Sequence, residues 1–236
     1  MNSVLFVVSA ADHWTLNDGS LHPTGYWAEE LAEPHRLFTE AGWQITIATP
    51  GGVAPTIDAG SLAPAAAGGE DRAAVIVAYL DTIGSELDEP RSITDVTVSD
   101  YDVVFYPGGH GPMEDLAVDA VSGRIMTEAL DSGLILGVLC HAPAAMLAAE
   151  RADGSWPFAG YRMTGFTDEE ETLGGLAPKA KWLVQSRLVE LGAVFVAGEA
   201  WGEHMEIDRN LYTGQNPASS AALAGAIIAA VTAKSE

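Results

Sequence analysis

The sequence predicts an α/β fold, a mostly parallel sheet sandwiched between helices, and three observations carry that reading. Strand-like runs alternate with helical segments along the whole chain. Three of the runs, Val4–Val8, Val103–Tyr106 and Leu134–Leu139, are continuously apolar, as strands covered on both faces require. Two of them lead directly into turns rich in glycine or reactive side chains, and sites in such sheets gather at the carboxyl ends of strands.

Taken in order, Val4–Val8 is a central parallel strand. The polar loop Ala10–Gly25 follows, carrying His13, Trp14 and His22. A helix starts near Tyr26 with Trp27, Leu31 and Phe38 at helical spacing, and Pro34 inside it predicts a kink. Glu29, Glu30 and Glu33 crowd its first turns, where the helix dipole favours anions. Gly42 closes the helix and Gln44–Thr49 is a second strand. Around 51–95 the chain becomes a loop-rich excursion, with Gly51-Gly52, Gly68-Gly69 and several prolines flanking one helical segment, Ala73–Ile83. Val118–Leu130 and Lys179–Leu191 read as helices, Arg162–Thr164 and Ala193–Ala197 as short strands. Asn210–Ala218 reads as a strand and turn capping a last helix, Ala218–Ala233. The whole, 1–236, is read as one domain.

Composition excludes several functions. Thirty-three acids against eleven bases give a net charge of −22, which repels phosphate backbones and anionic lipid, so neither nucleic acid nor a membrane is an expected partner. One cysteine in 236 residues rules out an internal disulfide. The start of the chain lacks a basic n-region, and the longest apolar stretch, Ala221–Ala233, is too short to span a bilayer. A cytoplasmic protein is expected.

That single cysteine stands at the most informative place in the chain. The strand Leu134–Leu139 stops at Cys140-His141, and Ala142–Ala149 reads as helix, with Pro143 suited to its first turn. A thiol on such a strand-to-helix elbow lies near unpaired amides and a positive dipole end, which is expected to lower its pKa from about 8.5. The plainer alternative is a buried cysteine acting as a small apolar residue. The strand Val103–Tyr106 runs into Pro107-Gly-Gly-His-Gly111, which lacks a nucleotide-binding fingerprint and suits an oxyanion hole of backbone amides. Glu30 alone is equally a helix-start charge, and Glu169–Glu171 a solvated acidic run. Trp14, Tyr26 and Trp27 either line a pocket or pack in the core, with core packing favoured for Trp27. His204 and Glu206 form only a weak metal-pair signal.

Five blocks together, Thr24–Glu30, Asp102–Met113, Gly137–Ala144, Thr164–Asp168 with the acids after it, and Thr213–Ala218, resemble the ThiJ/PfpI superfamily. Its fold is flavodoxin-like and glutamine amidotransferase-like, with a nucleophile elbow. The nearest likeness is to the heat-shock-protein, glyoxalase III-like branch. The resemblance implies Cys140 as nucleophile, His141 beside it, Glu30 as the acid that shuttles protons at the sulfur, and Glu171 as the acid orienting His141, with Glu169 and Glu170 as neighbouring alternatives. It implies Gly109 and His110 as oxyanion-side contacts. The implied activity is glutathione-independent conversion of methylglyoxal or glyoxal to lactate or glycolate, with no metal and no organic cofactor. A small reactive carbonyl is the partner, and a homodimer is implied. The resemblance equally accommodates a stress-response holdase, a hydrolase or deglycase acting on another small carbonyl or acyl substrate, and a redox-sensing thiol.

Overall fold

A computed structural model describes residues 2–234. Seven strands form one sheet in the order Met205–Asp208, Leu211–Gly214, Ile135–Leu139, Val103–Tyr106, Ser3–Val7, Gln44–Thr49, Arg91–Ser92. Every neighbouring pair is parallel except the first, where Met205–Asp208 turns back antiparallel on Leu211–Gly214. The chain builds outward from Ser3–Val7 in one direction and then returns to its other side with Val103–Tyr106. The order therefore reverses between these two strands, and in such sheets the crevice beyond that reversal is where ligands bind.

Alternation along the central strands sorts the core into two layers. Leu5, Val7, Val104, Tyr106, Leu136 and Val138 face one side, packed with the helix Ala120–Asp131 and the turns after the elbow. Val4, Phe6, Val103, Phe105, Ile135 and Leu139 face the other, against Ala28–Glu40, Glu70–Thr82 and the last helix, Ser220–Lys234. Covering on both faces is why these runs carry no polar alternation.

The expected elements are largely present, with informative differences. Gln44–Thr49 and Val103–Tyr106 span the expected residues. Ala28–Glu40 continues as one helix through Pro34. The segment after the elbow, Ala142–Ala148, is a 3₁₀ helix rather than α. The expected helix Lys179–Leu191 divides into a turn at Ala177–Lys179 and a helix at Val184–Glu190, because the Lys179 carbonyl is taken by the Asn17 amide at 2.8 Å. Of Ala193–Ala197 only Val194–Phe195 pairs, with Arg162–Met163, apart from the main sheet. The polar loop Ala10–Gly25 contains an unforeseen hairpin, His13–Thr15 with Leu21–Pro23. The excursion contributes the edge strand Arg91–Ser92 and the helix Glu70–Thr82, longer than expected at its start.

The layer beneath the elbow depends on close backbone approach. In the helix Ala120–Asp131, a Cβ on Gly123 would stand 2.0 Å from the Ala148 carbonyl oxygen. Alanine ordinarily stabilises a helix interior by about 1 kcal/mol over glycine. Here Gly123→Ala is expected to reverse that sign and cost about 3 kcal/mol, seen as a lower urea midpoint at unchanged m-value.

Candidate active site

The site is assembled from the carboxyl ends of two neighbouring strands and two helix starts. Cys140 follows Ile135–Leu139 with φ of +59°, a left-handed conformation that a side chain other than glycine's rarely adopts. The turn is held from both sides: the Cys140 N–H donates to the Gly214 carbonyl at 2.9 Å, and its own carbonyl accepts from the Phe166 N–H at 2.7 Å. These bonds oblige the chain to bend there and turn the sulfur toward a cavity of about 550 Å³. Cys140 is 2% exposed, and what is exposed lines that cavity.

On the neighbouring strand end, Gly108 and Gly109 have no room for side chains. A Cβ on Gly108 would lie 2.5 Å from Glu30 Oε2 and 2.9 Å from the Cys140 Cβ. Gly109 has φ of +95°, and a Cβ there would meet the Gly25 carbonyl oxygen at 2.3 Å. Backbone thus approaches the reactive groups as only glycine allows, and the Gly109 amide faces the sulfur.

Glu30 reaches this place from the first turn of its helix, wholly buried. Its Oε2 accepts the Gly108 N–H at 2.9 Å, and Oε1 has no other hydrogen-bonding partner that would fix a charge. Burial pushes the carboxyl up to about 8, against the pull of Cys140 and the Gly108 amide, with Glu29 and Glu170 adding to the rise. Cys140 and Glu30 oppose one another. Burial, then the Glu30 carboxyl, pushes the thiol up, against the Gly109 amide. This corrects the expectation of a thiol lowered by a helix dipole: the following segment is a short 3₁₀ turn, and the facing carboxyl outweighs it.

Glu171 gathers the other half of the site. It lies on the helix Asp168–Leu173, whose start is fixed by a capping box: Thr167 accepts the Glu170 N–H, and the Glu170 carboxylate accepts the Thr167 N–H. The three successive acids consequently do different things. Glu169 is exposed, Glu170 is buried in the cap and also accepts from Trp201 and Asn216, and Glu171 turns inward to the histidines. Its Oε2 lies 2.7 Å from His141 Nε2 and its Oε1 3.0 Å from His110 Nε2. Burial would raise the Glu171 carboxyl, but the two imidazoles hold it well below the usual carboxylate range. His141 is pushed down to about 4 by burial and by the adjacent His110, and is uncharged near neutrality. With its Nε2–H given to Glu171, its Nδ1 lone pair faces Cys140 Sγ at 3.2 Å.

The structure brings Cys140, His141, Glu30, Glu171, Gly109 and His110 to one place, at the sheet reversal. His110 differs from the expectation of an oxyanion contact in that its Nε2 is committed to Glu171. Trp27 is half-buried and lines the cavity instead of filling the core, correcting that reading. Tyr26 is core. Trp14 stacks on His110 with ring centroids 4.9 Å apart, and Phe166 stacks on His141 at 4.1 Å. His22 on the hairpin, Asp58 from the excursion and Trp201 complete the cavity wall. Their separation in sequence left no spacing signal. His204 Nε2 lies 3.4 Å from Glu206 Oε1, and the other oxygen of that carboxylate accepts from Arg162 at 2.6 Å.

Residues 22–230 match the DJ-1/PfpI family. The chain belongs to that family. The protein/nucleic acid deglycase HchA of Staphylococcus aureus is 28% identical over 228 residues, covering 92% of this chain and 75% of that one. Among solved structures, the Rapid Encystment Protein 24 KDa of Francisella tularensis superposes with a TM-score of 0.87 at 27% identity, covering 98% and 99% of the two chains. Glyoxalase III of Candida albicans superposes with a TM-score of 0.84 at 25% identity, covering 97% of each.

The Glu30 environment has a consequence for stability. A carboxyl raised in the folded state favours folding less as pH climbs, because the unfolded chain ionises first. Between pH about 4.5 and about 8, the unfolding free energy of Glu30→Gln is expected to gain on that of the unsubstituted protein by up to about 5 kcal/mol. Urea titrations across that range measure the difference, in which titrations elsewhere cancel. A gap independent of pH would mean that Glu30 is ionised throughout.

Proposed function

We propose that this DJ-1/PfpI protein is a glutathione-independent glyoxalase that converts methylglyoxal or glyoxal to lactate or glycolate through Cys140. The observation that carries the reading is the opposition of the wholly buried Glu30 carboxyl and the Cys140 sulfur, which lines the cavity, with His141 and Glu171 on the far side of the sulfur. That arrangement supplies each proton transfer the conversion needs.

The thiol gives its proton to His141 Nδ1, and the sulfur adds to the aldehyde carbon. The new oxyanion is held by the Gly109 amide and takes the proton back, giving a hemithioacetal. Glu30 then removes the hydrogen on the sulfur-bearing carbon as a proton. An enediol forms, the hydroxyl proton passes from the aldehyde-derived oxygen to the ketone oxygen, and return of the carbon-bound proton to the neighbouring carbon leaves a 2-hydroxy thioester. Water, deprotonated by His141 as Glu171 steadies the imidazolium, cleaves the thioester to the hydroxy acid and the free thiol. The aldehyde carbon is oxidised and the ketone carbon reduced within one molecule, so no external electron acceptor enters. A carboxyl that titrates near 8 exchanges protons in both directions at modest cost, which suits a shuttle.

A second reading has its own support. The cavity far exceeds a three-carbon aldehyde, and a further cavity of about 560 Å³ shares Trp27, Trp201 and Pro217 with it. Together with the deglycase relative, this suits a carbonyl adduct carried on a larger amine, released by the same thiol. The holdase reading draws less support, since Leu21, Val118, Leu173 and Ile207 are exposed on four separate segments of the chain.

Purified protein is expected to form lactate from methylglyoxal with no thiol added, and Cys140→Ala to form none. Glu171→Gln is expected to lower kcat by about 100-fold with little change in KM, since it removes the charge that steadies His141 but no substrate contact. Equal lactate formation by Cys140→Ala would sink the covalent scheme.

A further inference from the structure

We infer that His110, His141 and Glu171 form a binding site for a first-row transition cation of the zinc class, and that its occupancy switches the reaction off; the second half rests on the proposed function above. One ligating atom from each residue lies within 4.8 Å of the others, and all three residues are buried at the cavity wall. Two imidazoles and one carboxylate suit zinc, cobalt or nickel, whereas magnesium and calcium take oxygen donors.

The ligands are also held in place for the task. Trp14 is stacked on the His110 ring with 18° between planes, and Phe166 on the His141 ring with 29°. Such outer contacts fix imidazole orientation and strengthen metal sites. A third imidazole, His22, stands edge-on to His110 at 6.2 Å between centroids, on the same cavity wall. A net charge of −22 raises the concentration of cations around the molecule.

Ligation and catalysis exclude one another through the His141 ring. A metal takes the lone pair of each Nε2, so the ring proton must sit on Nδ1. On His141 that nitrogen is the one facing Cys140 Sγ at 3.2 Å. A ring donating there cannot accept the thiol's proton. Glu171, drawn to the cation, no longer holds the other tautomer. No bond from metal to sulfur is involved, because Sγ lies across the ring from the carboxylate.

The test is titration of the full chain, stripped of metal, with cobalt(II), read by its visible d–d bands. The bands are expected to saturate at one equivalent and to vanish on addition of zinc. Affinity is expected to fall about 10- to 100-fold in both His110→Asn and Glu171→Gln, each near-isosteric so that folding can be verified by its melting curve. Cys140→Ser is expected to leave the bands unchanged, with no sulfur-to-cobalt charge-transfer band in either protein. The site is overturned by absent bands, by an affinity in both ligand variants equal to that of the unsubstituted protein, or by a charge-transfer band that Cys140→Ser abolishes. The switch is overturned if zinc-saturated protein forms lactate at the metal-free rate. If metal-free protein forms no lactate, the glyoxalase reading fails and the cobalt result still decides the site.

Discussion

The left-handed backbone at Cys140 is the constraint on which the rest of the site depends. A side chain at φ of +59° is strained by of order 1–3 kcal/mol, and it persists because neighbouring elements hold both of its peptide groups. Gly214, at the end of the adjoining strand, takes the amide, and Phe166 gives its own amide to the carbonyl. The second of these bonds also sets where the chain goes next. Phe166 arrives flat against His141, and the capped helix that starts two residues later delivers Glu171 to the far nitrogen of the same ring. Bending the backbone, orienting the imidazole and placing its acid are therefore one structural event.

The other side of the sulfur is arranged by exclusion. Gly108 and Gly109 are the only residue type that lets the turn after Val103–Tyr106 lie against Glu30, Gly25 and Cys140 at once. The space so closed holds a carboxyl and a thiol with few hydrogen-bond donors between them. Burial in a poorly solvated pocket, and then the repulsion that two negative charges would meet there, hold both the carboxyl and the thiol in their protonated forms above the usual range.

How much of this was legible in the sequence follows from the range of the signal. The central strands are buried on both faces, so their apolar runs stood out, and Gln44–Thr49 and Val103–Tyr106 were placed to the residue. Cys140 and the glycine turn were legible because backbone geometry there restricts which residues fit. Glu30 and Glu171 were reached through the family resemblance, since a glutamate at a helix start or in an acidic run looks solvated in isolation. The histidine tautomer, the raised thiol and the stacking of Trp14 and Phe166 depend on tertiary approach, which no local pattern encodes. Short strands such as Met205–Asp208 and Arg91–Ser92 were hidden for a related reason: at sheet edges, half-exposed residues lose the periodicity that betrays them.

The two glutamates beside Cys140 and His141 are chemically identical in the unfolded chain, and the fold separates them. Glu30 receives one backbone N–H, so burial prevails and the carboxyl rises to about 8. Glu171 is nearly as buried, yet each of its oxygens meets an imidazole nitrogen, and the charged form prevails. Pairs of like groups driven apart in this way mark acid and base roles. The number of N–H donors aimed at each carboxyl, more than its depth, therefore decides which one is raised and which one holds a charge. The donors to Glu171 are themselves side chains with a second tautomer, so its charge depends on which nitrogen of each imidazole carries the proton.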